Sequence, residues 1–555
     1  MLRLTGYGHD LAVQAAYLLL RYCAEPKVAH LLRAAPPAWI LGAAQAHDAA
    51  ILRGANNLLG PGDLLDLDSG PAGGLDWGML HGQLGKDDGW RESARLARAQ
   101  CQLPLRRGGL GLVSAASTSA AAYLGGCSRV ARFLASEVVD AAADFRVDGG
   151  ELCAALAERP EPPYAGACAA WVEAGLWVAE YGDHGVRIED LAGAADVRCL
   201  DTALPELQKS VNRHIANGLH TELVESCRDV AVDGQHLRRT PGVEFADVSA
   251  AGERKRLRSQ AGRGATGWLR AIPAGYHSKV PAMEMRAALQ FWLHVPMPCM
   301  MAAPADCHCW NCGLGVPAYA DRRGDHAMVC RSSAKQGWHD AVCCSYQAAA
   351  RLAKVGTSLT SVLGHCWRRL LSGQLDPTDR SKKRPDLVLY DFDAASAPTL
   401  VDFTVTHPTA PSYLHHAYGG VGAAAAGKER AKVSKYMQLA TDLGFDFAPF
   451  GLETFGAWGP AATESLRRLC KHAGAGGLTD TREAVGWCAP HIAEVARQWV
   501  SVALQRSNGR LLLDAAAARY RRADVQRGSA RLVDDDEDED GEAAAGPGPA
   551  VRAMV

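Results

Sequence analysis

The strongest constraint in this chain is a pair of short β-rich runs, each carrying one aspartate. The first, Pro385-Asp386-Leu387-Val388-Leu389-Tyr390-Asp391, opens on a proline, which cannot continue a helix, and passes directly into branched and aromatic residues. The second, Thr399-Leu-Val-Asp402-Phe-Thr-Val-Thr-His-Pro408, alternates. Val401, Phe403 and Val405 fall on one side and Asp402, Thr404 and Thr406 on the other, the period of a half-buried strand. Residues 393–398 read as the turn between them. The two runs therefore predict a hairpin that brings Asp386 and Asp402 into one site. Two carboxylates so placed suit a hard divalent cation, Mg²⁺ or Mn²⁺, which keeps several waters and bridges to a substrate phosphate.

A second polar constellation lies upstream. Cys309-Trp-Asn-Cys312 is followed, thirteen residues later, by His326-Ala-Met-Val-Cys330. The first pair fits one tight turn, and the second can face one way on the first turn of a helix. Four such donors make a closed tetrahedral Zn²⁺ site, structural in kind because no coordination position is left open. Cys307 competes with Cys309 for the first ligand position. Most of the seventeen cysteines, such as Cys23, Cys127 and Cys153, stand singly among apolar residues and read as core thiols.

At 555 residues the chain predicts several compact units. Formal net charge is only −2, but eight acids crowd residues 534–542, so the remainder is net basic. No signal peptide or membrane-spanning run is evident, and reduced thiols fit a nuclear or cytoplasmic setting. Residues 1–60 read as helices at 11–20, 29–35 and 43–59, with Pro36-Pro37 as a break, and 115–134 reads as another. Between them, Leu103-Pro-Leu-Arg-Arg-Gly-Gly-Leu-Gly-Leu-Val places three glycines where backbones turn or approach closely. Residues 135–240 carry no recognisable chemistry. His214 and His220 read there as surface or core histidines.

The run Glu253-Arg254-Lys255-Arg256-Leu-Arg258 offers either a solvated helix face or a patch for phosphates. Lys382, Lys383 and Arg384 form a second basic cluster just before the first strand. After the hairpin, a helix over 423–443 presents Lys428, Lys432 and Lys435 on one face, and a further strand, loop and helix follow from Phe450. Glu453 on that strand reads as a residue that fixes a loop. Residues 480–523 read as Arg-rich helix, and 524–555 as an acidic, Ala/Gly/Pro-rich tail without a core.

Several of these pieces, in this order, resemble the part of non-LTR retrotransposon reverse transcriptases that follows the polymerase core. The Leu-Pro-x-Arg-x-Gly-Gly-Leu-Gly-Leu stretch and the helix ending Ala-Tyr-Leu-Gly-Gly look like the helical thumb. Trp268-Leu-x-Ala-Ile-Pro with Met285-Arg-Ala-Ala-Leu-Gln-Phe-Trp-Leu-His-Val-Pro looks like the linker behind it. Cys-x2-Cys…Gly-Asp-His-x3-Cys resembles the family's zinc knuckle, with a shorter His–Cys gap and a longer central loop. Arg384-Pro385-Asp386, Asp402 fifteen residues on, and Lys432-x2-Lys435-Tyr436 resemble its restriction-like endonuclease domain. The resemblance covers roughly residues 5–475.

It implies a multi-domain chain: a mostly α-helical N-terminal region, a small zinc knuckle, and an α/β restriction-endonuclease-like core. The implied partition is thumb-like 1–135, helical linker 136–305, knuckle 306–332, endonuclease-like domain 335–475, C-terminal helices 476–523 and tail 524–555. It implies a Mg²⁺- or Mn²⁺-dependent DNA endonuclease, with Asp386 and Asp402 on the metal and Lys432 or Lys435 as basic partner. Arg254, Lys255, Arg256, Arg258, Lys382, Lys383 and Arg384 would contact DNA, or RNA, and no membrane. No aromatic-Ala-Asp-Asp turn of a polymerase is present, so no reverse transcription is expected. Thr404 stands where restriction-type motifs have lysine, and the helix before the hairpin lacks the usual Glu, with only Asp340 in its place. A nucleic-acid-binding remnant that no longer cuts is therefore the alternative.

Overall fold

A computed structural model of the chain describes residues 12–35, 37–60, 63–67, 88–119, 121–123, 126, 207–226, 250–301, 323–330, 334–359, 385–390, 392, 397–410, 413, 420–475 and 491–534. Over these it is mostly helical, with one small mixed sheet. It divides into two compact units. Among the described residues no helix is long and apolar enough to cross a membrane.

The first unit, 16–226 in described residues, is helical. Its main helices are α1 (Pro37–Leu59), α2 (Asp88–Gln102) and α3 (Leu207–Ser226). α1 starts six residues before the apolar pattern suggests, with Pro37 at its first position, where a missing N–H costs nothing. Asp48 on α1 caps the helical turn at 115: its carboxylate accepts Ser114 Oγ at 2.6 Å and the Ala115 and Ala116 N–H groups at 2.7 and 3.1 Å. The glycine-rich stretch turns as expected. Gly108 has φ 77°, and a β-carbon at Gly109 would collide with the Leu103 carbonyl.

The second unit holds the sheet. Its strands are β1 (Gly356–Leu359), β2 (Leu387–Tyr390), β3 (Thr399–Thr406) and β4 (Asp446–Glu453), hydrogen-bonded in that order. β1–β2 and β2–β3 are antiparallel and β3–β4 is parallel. The helices around it are α4 (Ala250–Gln260), α5 (Ala282–Leu293), α6 (Ala334–Leu352), α7 (Ala423–Asp442), α8 (Pro460–Ala475) and α9 (Ile492–Asp534). α7 lies between β3 and β4 in the chain, the crossover that a parallel pair requires.

Alternation assigns each strand residue to a layer. Leu387, Leu389, Val401, Phe403, Phe450 and Leu452 face a large core closed by α6, α8 and α9. Tyr346 of α6 packs edge-on against Phe403 with ring centres 5.6 Å apart. Val388 and Leu400 point the other way, onto Tyr436, Leu439 and Ala440 of α7.

The packing does not follow the partition expected at 305 and 476. Phe291, Met297 and Met300, from the stretch expected as a separate linker, join the same core as Val500, Leu504 and Leu511 of α9. The Gly-Trp-Leu motif is a joint within it: Trp268 is fully buried, edge-on to Trp292 at 5.6 Å, and a β-carbon on Gly267 would press on the Arg497 carbonyl of α9. α9 also runs beyond 523, to Asp534, over a sequence rich in the helix formers Ala and Arg.

Candidate active site

Asp386 lies one residue before β2, where its N–H donates to the Val401 carbonyl at 3.0 Å and so extends the ladder by one bond. Its carboxylate accepts the Phe403 N–H at 2.7 Å and pairs with His339 Nε2 at 3.0 Å. Residue 387 is opposite 401 in the register, so Asp386 and Asp402 come from neighbouring strands. Both line one cavity of about 950 Å³, together with His339, Lys428, Lys432 and Lys435. The hairpin expectation is met in this respect.

Asp402 points to the α7 side of the sheet. Lys432 Nζ is 2.5 Å from its Oδ2, and Tyr436, one turn further along α7, hydrogen-bonds the same carboxyl. Burial raises the Asp402 pKa from its ordinary value, and the nearby charge of Asp386 raises it further, against Lys432 and Tyr436. Lys435 lies over the Tyr436 ring at 4.6 Å and Lys428 over the Tyr413 ring at 6.0 Å. Thr404 also lines the cavity, and Lys432 reaches into it from the crossover helix.

His339 was not legible as a site residue. It is half-buried on α6, between Asp386 and Asp340 (3.0 and 3.1 Å), and although burial opposes its charge the two carboxylates push its pKa up to about 9. One signal existed: Trp338, Val342 and Tyr346 mark the buried stripe of α6, and His339 borders it. Asp340 itself is exposed; it contacts His339 and accepts the Gln336 amide at 2.8 Å, and both of those residues line the cavity. Below them Cys343 is buried. Desolvation, then the charge of Asp386, raises its thiol pKa, so it packs in the core as a neutral thiol.

Glu453 and Glu429 do structural work. Glu453 Oε1 accepts the Ala424 and Ala425 N–H groups at the start of α7. Glu429 accepts Gly451, Ala461 and Ala462 N–H at 3.0, 3.0 and 2.9 Å, which caps α8.

Of the basic residues expected to meet nucleic acid, Arg256 is a correction. It is 1% exposed, and its guanidinium is bound by Glu253, Gln260 Oε1 (3.0 Å) and the Trp292 carbonyl (2.7 Å), so it braces the interior. Arg254, Lys255 and Arg258 on the same helix stay partly exposed. Lys382, Lys383 and Arg384 lie outside the described residues, as do Cys307, Cys309 and Cys312.

Of the four expected zinc ligands, His326 and Cys330 are described. Both are buried on the short helix Asp325–Val329 and its cap, where the Cys330 N–H donates to the His326 carbonyl at 2.7 Å. The residue before His326 is held by a buried network. Asp325 binds His294 Nε2 at 2.7 Å and His407 Nε2 at 3.1 Å, and His294 Nδ1 binds Glu253. This fixes the helix that would present His326 and Cys330 from one side.

Among the described residues no three His, Cys, Asp or Glu side chains converge as a ready metal cage. A Mg²⁺ ion needs only one or two carboxylates and completes its shell with water and phosphate; Asp386 and Asp402 are two carboxylates that line one cavity. No known family model and no curated protein matches this chain.

Proposed function

We propose that this chain is a divalent-metal-dependent DNA endonuclease with a restriction-endonuclease-like core, derived from a non-LTR retrotransposon. The observation that carries this reading is the meeting of Asp386, Asp402 and Lys432 in one cavity, drawn from two adjacent strands and the crossover helix. A hard cation on the two carboxylates supplies the Lewis acidity that polarises a scissile phosphate. The raised pKa of Asp402 and its proximity to Asp386 describe a pair whose mutual repulsion a divalent cation relieves.

The protein's own groups have separate tasks. The Phe403 N–H and His339 hold Asp386 in one orientation. Lys432 steadies Asp402 and brings a positive charge to where the phosphate gains negative charge during attack by water. Lys428 and Lys435 add charge along the same wall and draw the polyanion in. His326 and Cys330, with Cys309 or Cys307 and Cys312, would hold a structural Zn²⁺ beside this core.

The full chain should nick supercoiled plasmid in Mg²⁺ or Mn²⁺, and Asp386→Ala or Asp402→Ala should abolish nicking while the fold survives. Salt-sensitive binding without cleavage by the wild type would replace this reading with a non-cutting nucleic-acid-binding remnant.

A further inference from the structure

A second cavity, of about 340 Å³, adjoins the first in the same unit. Lys255 and Arg258 enter it from α4, three residues apart and therefore on one helix face. Arg430 enters from α7. Tyr413 lines both cavities, and α7 walls both: Ala424, Gly427 and Arg430 face the smaller one, Lys428, Lys432 and Lys435 the larger. Among the described residues neither Arg258 nor Arg430 makes an ion pair, whereas Lys255 is tied to the Tyr413 carbonyl. Among the described lining residues the one acid, Glu453, is buried and already occupied by the α7 N-terminal amides. An anion entering here would therefore be held by guanidinium groups rather than by the helix end.

We propose that this cavity is a phosphate-holding subsite for the nucleic-acid strand, in which Arg258 and Arg430 grip one backbone phosphate away from the Asp386–Asp402 pair. The inference rests on the nuclease reading for its substrate, but its arginines lie outside the cutting site. Two guanidinium forks converging from different helices suit the several oxygens of a phosphate. A strand laid across Tyr413, which lines both cavities, would reach from one to the other. Such a contact carries no sequence information and sets register, which decides the phosphodiester presented to the carboxylates.

The test uses the full chain and a fluorescein-labelled DNA duplex, with binding followed from about 50 to 200 mM KCl. Arg258→Ala with Arg430→Ala should weaken binding by about ten-fold at the low-salt end and flatten the plot of log K against log[salt] by about 0.9, the value of one phosphate. Arg258→Lys with Arg430→Lys, which keeps both charges, should recover most of the slope. Thermal unfolding of each variant separates a binding loss from a folding loss.

An unchanged slope and affinity in the double alanine variant overturns the subsite, whatever the plasmid assay shows. Arginine-dependent binding without any nicking leaves the subsite standing and removes the cutting reading. Nicking by the wild type with arginine-independent binding does the reverse, and a wild type that binds no DNA overturns both.

Discussion

Lys432 Nζ lies 2.5 Å from Asp402 Oδ2; on the proposed nuclease reading this ammonium group, arriving from the crossover helix α7, stands in for the one that a restriction-type strand would place at Thr404. Thr404 and Lys432 line the same cavity, which makes the exchange testable in both directions. Lys432→Ala should lower the nicking rate by about 10²- to 10³-fold, the usual cost of removing one preorganised charge-stabilising group. Adding Thr404→Lys to that variant should restore part of the rate, because both positions open on one space. Plasmid nicking under single-turnover conditions measures both; a double variant no faster than Lys432→Ala would show that the two positions are not equivalent.

The hairpin was legible because period-two alternation in 399–406 leaves only one way to bury Val401 and Phe403, and that choice puts Asp402 on the α7 side. The lysine spacing on α7 was legible for the same geometric reason. His339 was not, since the stripe of Trp338, Val342 and Tyr346 shows only that it borders the core and not that this edge of α6 meets Asp386. Arg256 was misread for a related reason. Charges in 253–258 lie at every helical angle, so periodicity cannot single out the one that turns inward to Glu253 and the Trp292 carbonyl. The packing of 282–301 into one core with α9 was not legible because those contacts span some two hundred residues, a distance no sequence window covers.

Glu429 provides a stability test independent of function. Its carboxylate serves the N–H groups of Gly451, Ala461 and Ala462, and it sits where a β-carbon on Gly459 would be. Glu429→Ala leaves three donors without that acceptor, two of them in buried surroundings. The expected loss is about 3 kcal/mol or more, at roughly 1–3 kcal/mol per orphaned group. Chemical denaturation monitored by tryptophan fluorescence reads it. Glu429→Gln, whose amide oxygen still accepts, should lose less. Equal losses in the two variants would argue against a capping role.

Zinc content is the direct check on the knuckle. Metal analysis of the purified chain should find about one Zn²⁺ per molecule, as a closed four-ligand site binds one ion. Cys309→Ser with Cys312→Ser, or His326→Ala, should remove it. Since His326 follows Asp325, itself tied to His294 and His407, zinc loss should lower the unfolding midpoint of the second unit as well. A metal content that is unaltered by these substitutions would remove the site.

The Glu253–His294 pair sets a pH window for stability. Burial opposes the charge of Glu253, but Arg256 and His294 outweigh it and hold its carboxyl well below the ordinary range. That contribution is present above the unfolded carboxyl pKa and is lost as pH falls. Burial also opposes the charge of His294, and Glu253 and Asp325 outweigh it, so its pKa is raised. This contribution is full below the unfolded histidine value and is lost as pH rises through the folded one. The groups facing His294 are Glu253 from α4 and Asp325 from the short helix; Glu253 also pairs with Arg256, and Asp325 with His407. The thermal midpoint should therefore peak on the acidic side of neutrality and decline towards alkaline pH. His294→Gln, which keeps a polar side chain but no titrating proton, should be less stable at the peak and show a flatter alkaline limb. Scanning calorimetry across pH 5–9 tests this against the ordinary His range, and an alkaline limb as steep in the variant as in the wild type would assign the decline to another group.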